Sequence, residues 1–247
     1  MTTTTEKTVR EIAIETPATI RVFETLGIDY CCGGRRSLSD ACLQANVPVA
    51  QVVALLADAS RNAGENNDNS WNDAPLQALT AHIVTKHHAF VRQETPRIES
   101  LLLKVISRHG DTHPEVRRIE ELFLAMTQEL NTHMMKEEQI LFPYIDRMET
   151  ALLAGEPLPK TCFESITSPI ANMMADHDDA GALLASIREL SGGFTAPAGA
   201  CPTYRGLYHS LAEFESDLHR HVHLENNILF PRAAQMEAAA GVACGTR

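Results

Sequence analysis

A chain of 247 residues, 44% of them hydrophobic, is long enough for one large or two smaller domains and can bury a real core. Aromatic residues make up only 5%, with a single tryptophan, which suits packed helices better than a β-sandwich. A formal charge of −11 argues against a nucleic acid as main partner, because phosphate recognition needs clustered Lys and Arg.

The N-terminal stretch "MTTTTEKTVREIAIETP" has no basic residues followed by an apolar core, so no signal peptide is read. No apolar run approaches the roughly 18 residues of a membrane span. The six cysteines are scattered without a disulfide framework. The expectation is a cytoplasmic protein with no membrane partner.

Residues 1–60 carry short helical patterns and are expected to form a small helical domain. Within it, "DYCCGG" places Cys31 beside Cys32. Adjacent Cα atoms lie about 3.8 Å apart, below the usual disulfide range, so an ordinary bond between these two is disfavoured. They are either two small buried residues or a pair of reactive or metal-binding thiols beside the flexible Gly33–Gly34. In the second case Arg35 and Arg36 would lower the thiol pKa, and the thiols could also join two chains as a homodimer. Residues 61–72, "RNAGENNDNSWN", are polar and Asn-rich and read as a linker.

From residue 73 to residue 247 the pattern is long-helical. The first helix starts at Asp73–Pro75 and runs to about Arg108, with Pro96 expected to kink or break it. The second runs from Pro114 to about Met148, the third from about Ser165 to Leu190, and the fourth from Thr203 to about Met236. Connections such as "HGDTHP" and "AGEPLPKT" are short, and no stretch reads as a strand. The fold class is therefore all-α: an antiparallel four-helix bundle behind a small helical N-terminal domain.

Two of these helices repeat a string. Residues 133–143 read "HMMKEEQILFP" and residues 221–231 read "HVHLENNILFP". Positions i and i+4 share a helix face, so His133 points with Glu137 and His221 with Glu225. One such pair is commonly a solvated-face ion pair. These two are different because they lie on the apolar stripes. Ile119, Leu122, Met126, Leu130, His133, Glu137 and Leu141 recur at steps of three and four in helix two. Leu207, Leu211, Phe214, Leu218, His221, Glu225 and Leu229 do so in helix four. A glutamate on a core stripe needs a partner, because a lone buried carboxylate is too costly. His209, Glu213, His219 and His223 fall off the stripe and read as surface residues.

The third helix places His177 in its stripe of Ile166, Ile170, Met173, Leu184 and Ile187. The first offers His87 and His88 in "KHHAF", about 100° apart. Spacing favours His88, 45 residues before His133, as His177 stands 44 before His221. The bundle thus reads as two copies of a hairpin, each with an inward His followed by an inward His-x3-Glu. Four histidines and two glutamates in one core form either a structural hydrogen-bond network or a metal site. They exceed the needs of one zinc, so two metals are expected. Imidazole with bridging carboxylate and no thiolate suits non-haem iron or manganese.

These helices resemble the hemerythrin-like di-iron proteins. "HMMKEEQILFP", "ADHDDAG" and "HLENNILFP" are similar to the iron-centre repair proteins of the RIC family, including its NorA- and ScdA-like members. "LGIDYCCGGRRSL" resembles that family's short N-terminal domain. The resemblance implies two non-haem irons per chain, bridged by Glu137 and Glu225 and held by His88, His133, His177 and His221. It also implies a histidine after the first helix, for which His109 is the match by distance from His88, although a histidine beside Gly110 at a helix end is ordinarily exposed. It favours a functional role for Cys31 and Cys32. In function it implies repair of iron–sulfur proteins damaged by nitrosative or oxidative stress, with nitric oxide or oxygen as small ligand. Catalytic reduction of nitric oxide, a carrier or sensor without turnover, and an iron-delivery chaperone all stay open at this point.

Overall fold

The computed structural model describes residues 5–62 and 71–244. The expected linker at 61–72 falls mainly on residues outside the described ones. Among the described residues there are helices and no strand, only an isolated bridge between Thr8 and Ser37.

Four short helices come first: α1 (Val9–Glu15), α2 (Ile20–Leu26), α3 (Leu38–Gln44) and α4 (Val49–Asn62). Local chemistry sets their ends. Thr8 and Glu11 close a reciprocal capping box on α1, and Ser37 caps α3 through the Asp40 N–H. Gly27 ends α2 at φ 65°, a conformation that costs other residues more. Val9, Ile12, Phe23, Ile28, Tyr30, Leu38, Val52 and Leu56 form the core of this unit.

The bundle consists of four rods. The first is α5 (Leu76–His82), a π-helical stretch Ile83–His88, and α6 (Ala89–His109). The second is α7 (Glu115–Lys136), a π stretch Glu137–Leu141, and α8 (Phe142–Leu153). The third is α9 (Thr167–Leu190), without a π stretch. The fourth is α10 (Pro202–His223), a π stretch Leu224–Leu229, and α11 (Phe230–Cys244). Among the described residues no single helix is long and apolar enough to cross a membrane.

The expected break at Pro96 does not occur, since α6 runs through it. The widened turns fall elsewhere and explain why the repeated string ends in Leu-Phe-Pro. Pro143 and Pro231 follow the two π stretches. A proline within a helix has no N–H and crowds the carbonyl four residues back, and a wider turn relieves both. Accordingly Phe142 N–H reaches Glu137 O, and Phe230 N–H reaches Glu225 O, five residues back in each case.

The repeat also holds the rod ends. Glu149 accepts from Leu76 N and Gln77 N at 2.7 and 2.9 Å, capping α5. Glu237, again 88 residues later, accepts from Ile166 N just ahead of α9 at 3.0 Å. Free amide groups at a helix start favour such a carboxylate.

Two apolar clusters fill the bundle. One lies on α6, α7, α9 and α10, the other on α5, α8, α11 and the start of α9. The π stretches of the first, second and fourth rods and His177 of the third lie between them. The N-terminal unit packs on the outer face of the fourth rod. That rod is therefore covered on both sides, and every residue from His221 to Phe230 is buried. This corrects the surface reading of His223, which is 4% exposed. Asn227 Nδ2 bonds both Tyr30 O and His223 Nδ1 at 2.9 Å, and burial pushes the His223 pKa down to about 4. Arg220 clamps Glu24 through two hydrogen bonds, and Arg10 donates to Asn227 O at 3.0 Å. His209 and Glu213 are exposed as expected, and His219 is half-buried near Tyr30.

Candidate metal centre

The His-x3-Glu pairs and the two single histidines meet in the layer between the apolar clusters. His88, Glu137, His221 and Glu225 form one group of four, and His133, Glu137, His177 and Glu225 form another. In each group the ligand atoms lie within 4.8 Å of one another, and all six residues are buried. The glutamates are shared. Glu137 offers Oε2 to His88 Nε2 at 3.4 Å and Oε1 to His133 Nε2 at 3.3 Å. Glu225 offers Oε1 to His221 Nε2 and Oε2 to His177 Nε2, both at 3.0 Å. The facing imidazoles are close as well. His88 and His221 stand 3.2 Å apart through Nε2, and His133 and His177 stand 3.0 Å apart.

Electrostatics test whether cations fit. Both oxygens of Glu137 and Oε2 of Glu225 are buried and, although imidazoles stand close, make no aligned hydrogen bond. Each glutamate is 0% exposed, a costly state for a carboxylate unless positive charge faces it. On three of the histidines the other ring nitrogen is engaged. His88 Nδ1 bonds Glu138 at 2.6 Å, His133 Nδ1 bonds Asp176 at 3.2 Å, and His177 Nδ1 bonds Asn226 at 2.9 Å. With Nδ1 donating, the Nε2 lone pair turns inward in the orientation a metal requires. Lone pairs and carboxylate oxygens therefore converge from several rods, and the cluster is able to hold metal. Protonation responds to the same field. Burial opposes charge on His133, but Glu137 outweighs it and pushes the pKa up to about 9. Burial likewise opposes the Glu225 charge, yet His221 and His177 hold its pKa well below the usual carboxylate value.

Of the expected metal-binding residues, six come together and one does not. His109 ends α6, 21 residues past His88, so the helix rise carries it about 30 Å away. It lies against Tyr204 and His113, at the other end of the bundle. Distance along the sequence misled here, because a continuous helix through Pro96 converts it into distance along the bundle. His87 is buried too. Its ring stacks on His221 at 5.6 Å with 7° between planes, and its Nδ1 faces Asp217.

The Nδ1 partners were not legible as functional residues. Glu138 in particular stands beside a core glutamate and looks like its solvated neighbour. The repeat carried the signal. Glu138 and Asn226 follow the two core glutamates, while His87 and Asp176 precede the two single histidines.

Cys31 and Cys32 are free thiols with their sulfurs 4.0 Å apart. Asp29 holds the turn, accepting from the N–H groups of Cys31, Cys32 and Gly33. Cys32 Sγ lies 3.7 Å from the backbone O of His177. Gly181 of α9 lies against the same sulfur, where a Cβ would make only an ordinary contact at 3.7 Å. A cavity of about 640 Å³ between the N-terminal unit and the bundle is lined by both thiols, Tyr30, His177 and Val222. The expected lowering of the thiol pKa by arginine is not what Cys31 experiences. Its hydrogen bond with Cys32 and its burial push the thiol up, and Arg36 donates to Gln44 instead.

The comparisons with known proteins agree with this arrangement. Residues 79–233 match the family described as hemerythrin HHE cation binding domain, and residues 5–60 match ScdA_N, described as a domain of unknown function. The chain is 36% identical over 226 residues to the "Probable iron-sulfur cluster repair protein" of Haemophilus influenzae, covering 90% of this chain and 94% of that one. It is 38% identical over 223 residues to "Iron-sulfur cluster repair protein YtfE" of Edwardsiella ictaluri, with coverage of 90% and 94%. To the protein of that name from Pectobacterium atrosepticum it is 35% identical over 232 residues, covering 94% and 98%.

Proposed function

Because this chain belongs to the iron–sulfur cluster repair proteins and carries a hemerythrin HHE cation binding domain, we propose that it repairs iron–sulfur centres damaged by nitrosative or oxidative stress, using a two-iron site. The observation that carries this reading is the sharing of Glu137 and Glu225 between two overlapping groups of four ligand atoms. Two cations, one in each group, would face all three of the unpartnered carboxylate oxygens, whereas one cation would leave at least one of them orphaned. His88 and His221 would hold one iron, and His133 and His177 the other. Two histidines with carboxylate and no thiolate match the preference of non-haem iron and leave coordination positions open.

When bound, such iron supplies a place for a small diatomic molecule and iron for transfer to a partner. The chain's own contribution is positional. Glu138, Asp176 and Asn226 fix the imidazole rings, and the two apolar clusters wall the site off from water. Cys31 and Cys32 lie beside His177, within reach of iron, nitrosyl or sulfur species leaving that side. Disfavoured from closing on each other, they stay available for exchange with a partner. Damaged iron–sulfur proteins are accordingly the proposed partners, the cytoplasm the proposed location, and nitric oxide or oxygen the proposed small ligand.

Metal analysis of the freshly purified protein should give two irons per chain. The iron-loaded protein should restore activity to an iron–sulfur dehydratase inactivated by nitric oxide. A reproducible value of one iron, or zinc alone, removes the two-metal reading. Full metal with no restoration removes the repair reading. An anaerobic titration with nitric oxide, watching for nitrous oxide, separates turnover from binding alone.

A further inference from the structure

The two hairpins correspond residue by residue: His88 to His177, His133 to His221, Glu137 to Glu225, Glu138 to Asn226, and Phe142 to Phe230. The imidazoles of the first pair rest on the phenylalanines of the last. His88 stacks on Phe142 at 5.9 Å, and His177 on Phe230 at 6.1 Å. The Nδ1 supports follow the same relation. Glu138 takes the His88 Nδ1, and its counterpart Asn226 takes the His177 Nδ1.

One correspondence fails. Asp176 precedes His177 and accepts from His133 Nδ1. The residue in the equivalent place, preceding His88, is His87. It reaches the equivalent target, His221, but lies parallel to it with ring centroids 5.6 Å apart and makes no hydrogen bond to it, turning its own Nδ1 to Asp217. His221 Nδ1 is consequently buried with no hydrogen-bond partner, in a residue 1% exposed. The repeat built a slot for an acceptor here, and an imidazole ring fills it.

We infer that the two metal positions are unequal and that the one held by His88 and His221 exchanges first, because His87 occupies the place where an acceptor would fix His221. This rests on the two-iron repair reading and deepens it: one iron of the pair is the one given up, and the other stays. The charged supports do not reverse the order. Each position has one carboxylate-supported imidazole, His88 through Glu138 and His133 through Asp176. The positions differ in the second imidazole, supported by Asn226 at His177 and unsupported at His221. Loss of one such support typically weakens metal affinity by about 10- to 100-fold.

The test is release, not activity. Protein loaded anaerobically with two equivalents of ferrous iron is mixed with excess ferrozine, and the coloured complex is followed. Wild type should lose iron in two phases of equal size, with rates at least about tenfold apart. The His87→Asn variant can present its Oδ1 to His221 Nδ1, as Asn226 does to His177, and its Nδ2 to Asp217. It should slow the fast phase by about tenfold or more and leave the slow phase where it was. The Asp176→Ala variant, altered at the bundle surface, should hasten the slow phase toward the fast one. If His87→Asn loses helicity, Asp176→Ala decides alone. Single-phase loss of both irons from wild type overturns the inference, as does a slow phase indifferent to Asp176→Ala or a fast phase unchanged in folded His87→Asn. A stoichiometry of one iron overturns it together with the two-metal reading. Two-phase release from a protein that fails to restore a damaged iron–sulfur dehydratase overturns only the repair reading.

Discussion

Replacing Glu138 by glutamine changes one charge and keeps the shape. In the wild type, Glu138 Oε1 accepts from His88 Nδ1 at 2.6 Å and from Arg92 at 2.7 Å, while the side chain stays 26% exposed. A hydrogen bond to a charged group contributes about 1.5–3 kcal/mol, and partial exposure favours the lower end. Glutamine still offers an oxygen, so part of that survives. The expected loss is about 1.4 kcal/mol, or about tenfold in affinity, for the metal held by His88 and His221 only. The other metal should bind as before, because Glu138 touches neither His133 nor His177. Glu137→Gln is a different perturbation. It weakens a carboxylate that faces one histidine of each group, so both metals should suffer and the stoichiometry should fall below two. Anaerobic titration with ferrous iron, or with cobalt(II) followed by its absorbance, resolves the two cases. The reasoning is wrong if Glu138→Gln empties the site as completely as Glu137→Gln, or if it binds both metals with wild-type affinity.

Other perturbations have definite expected outcomes. His109→Ala should leave metal content unchanged, as measured by elemental analysis, because the side chain lies at the far end of α6. His221→Ala should bring the metal content below two while His219→Ala keeps it at two, since the two point about 160° apart on the helix. Asn227→Ala removes two buried hydrogen bonds, one to the Tyr30 carbonyl of the N-terminal unit and one to His223 of its own rod, and strands that carbonyl; the metal-free protein should lose about 1–3 kcal/mol, read as a lower urea midpoint. Glu149→Ala and Glu237→Ala uncap equivalent helix starts, and each should cost about 1 kcal/mol by urea titration, with a large inequality counting against the repeat. The double variant Cys31→Ser, Cys32→Ser should fold and bind two irons yet fail to restore a damaged iron–sulfur enzyme. Retained repair would reduce the pair to packing.

The sequence by itself determined the helices, the hairpin repeat and the inward-facing residues. Helical periodicity is a local property, and a glutamate on an apolar stripe must find a partner wherever the stripe goes. That alone singled out Glu137, Glu225, His133, His177 and His221, and spacing chose His88 over His87. Tertiary structure decided what periodicity cannot carry. His109 fits the spacing but lies a helix length away, because a straight rod separates residues that a bent one would bring back. His223 sits off the stripe yet is buried, because a second unit covers the back of its helix, and one helix's pattern does not announce a second neighbour. The π turns after Lys136 and His223 stand just ahead of prolines, and whether the chain breaks or widens at a proline is a choice the packed core makes. The support of the imidazoles by Glu138, Asp176 and Asn226 joins residues 43 to 50 apart in sequence. The failure of that support at His221 is visible only when the two hairpins face each other, because a hydrogen bond, or the want of one, is a matter of distance and direction between rods.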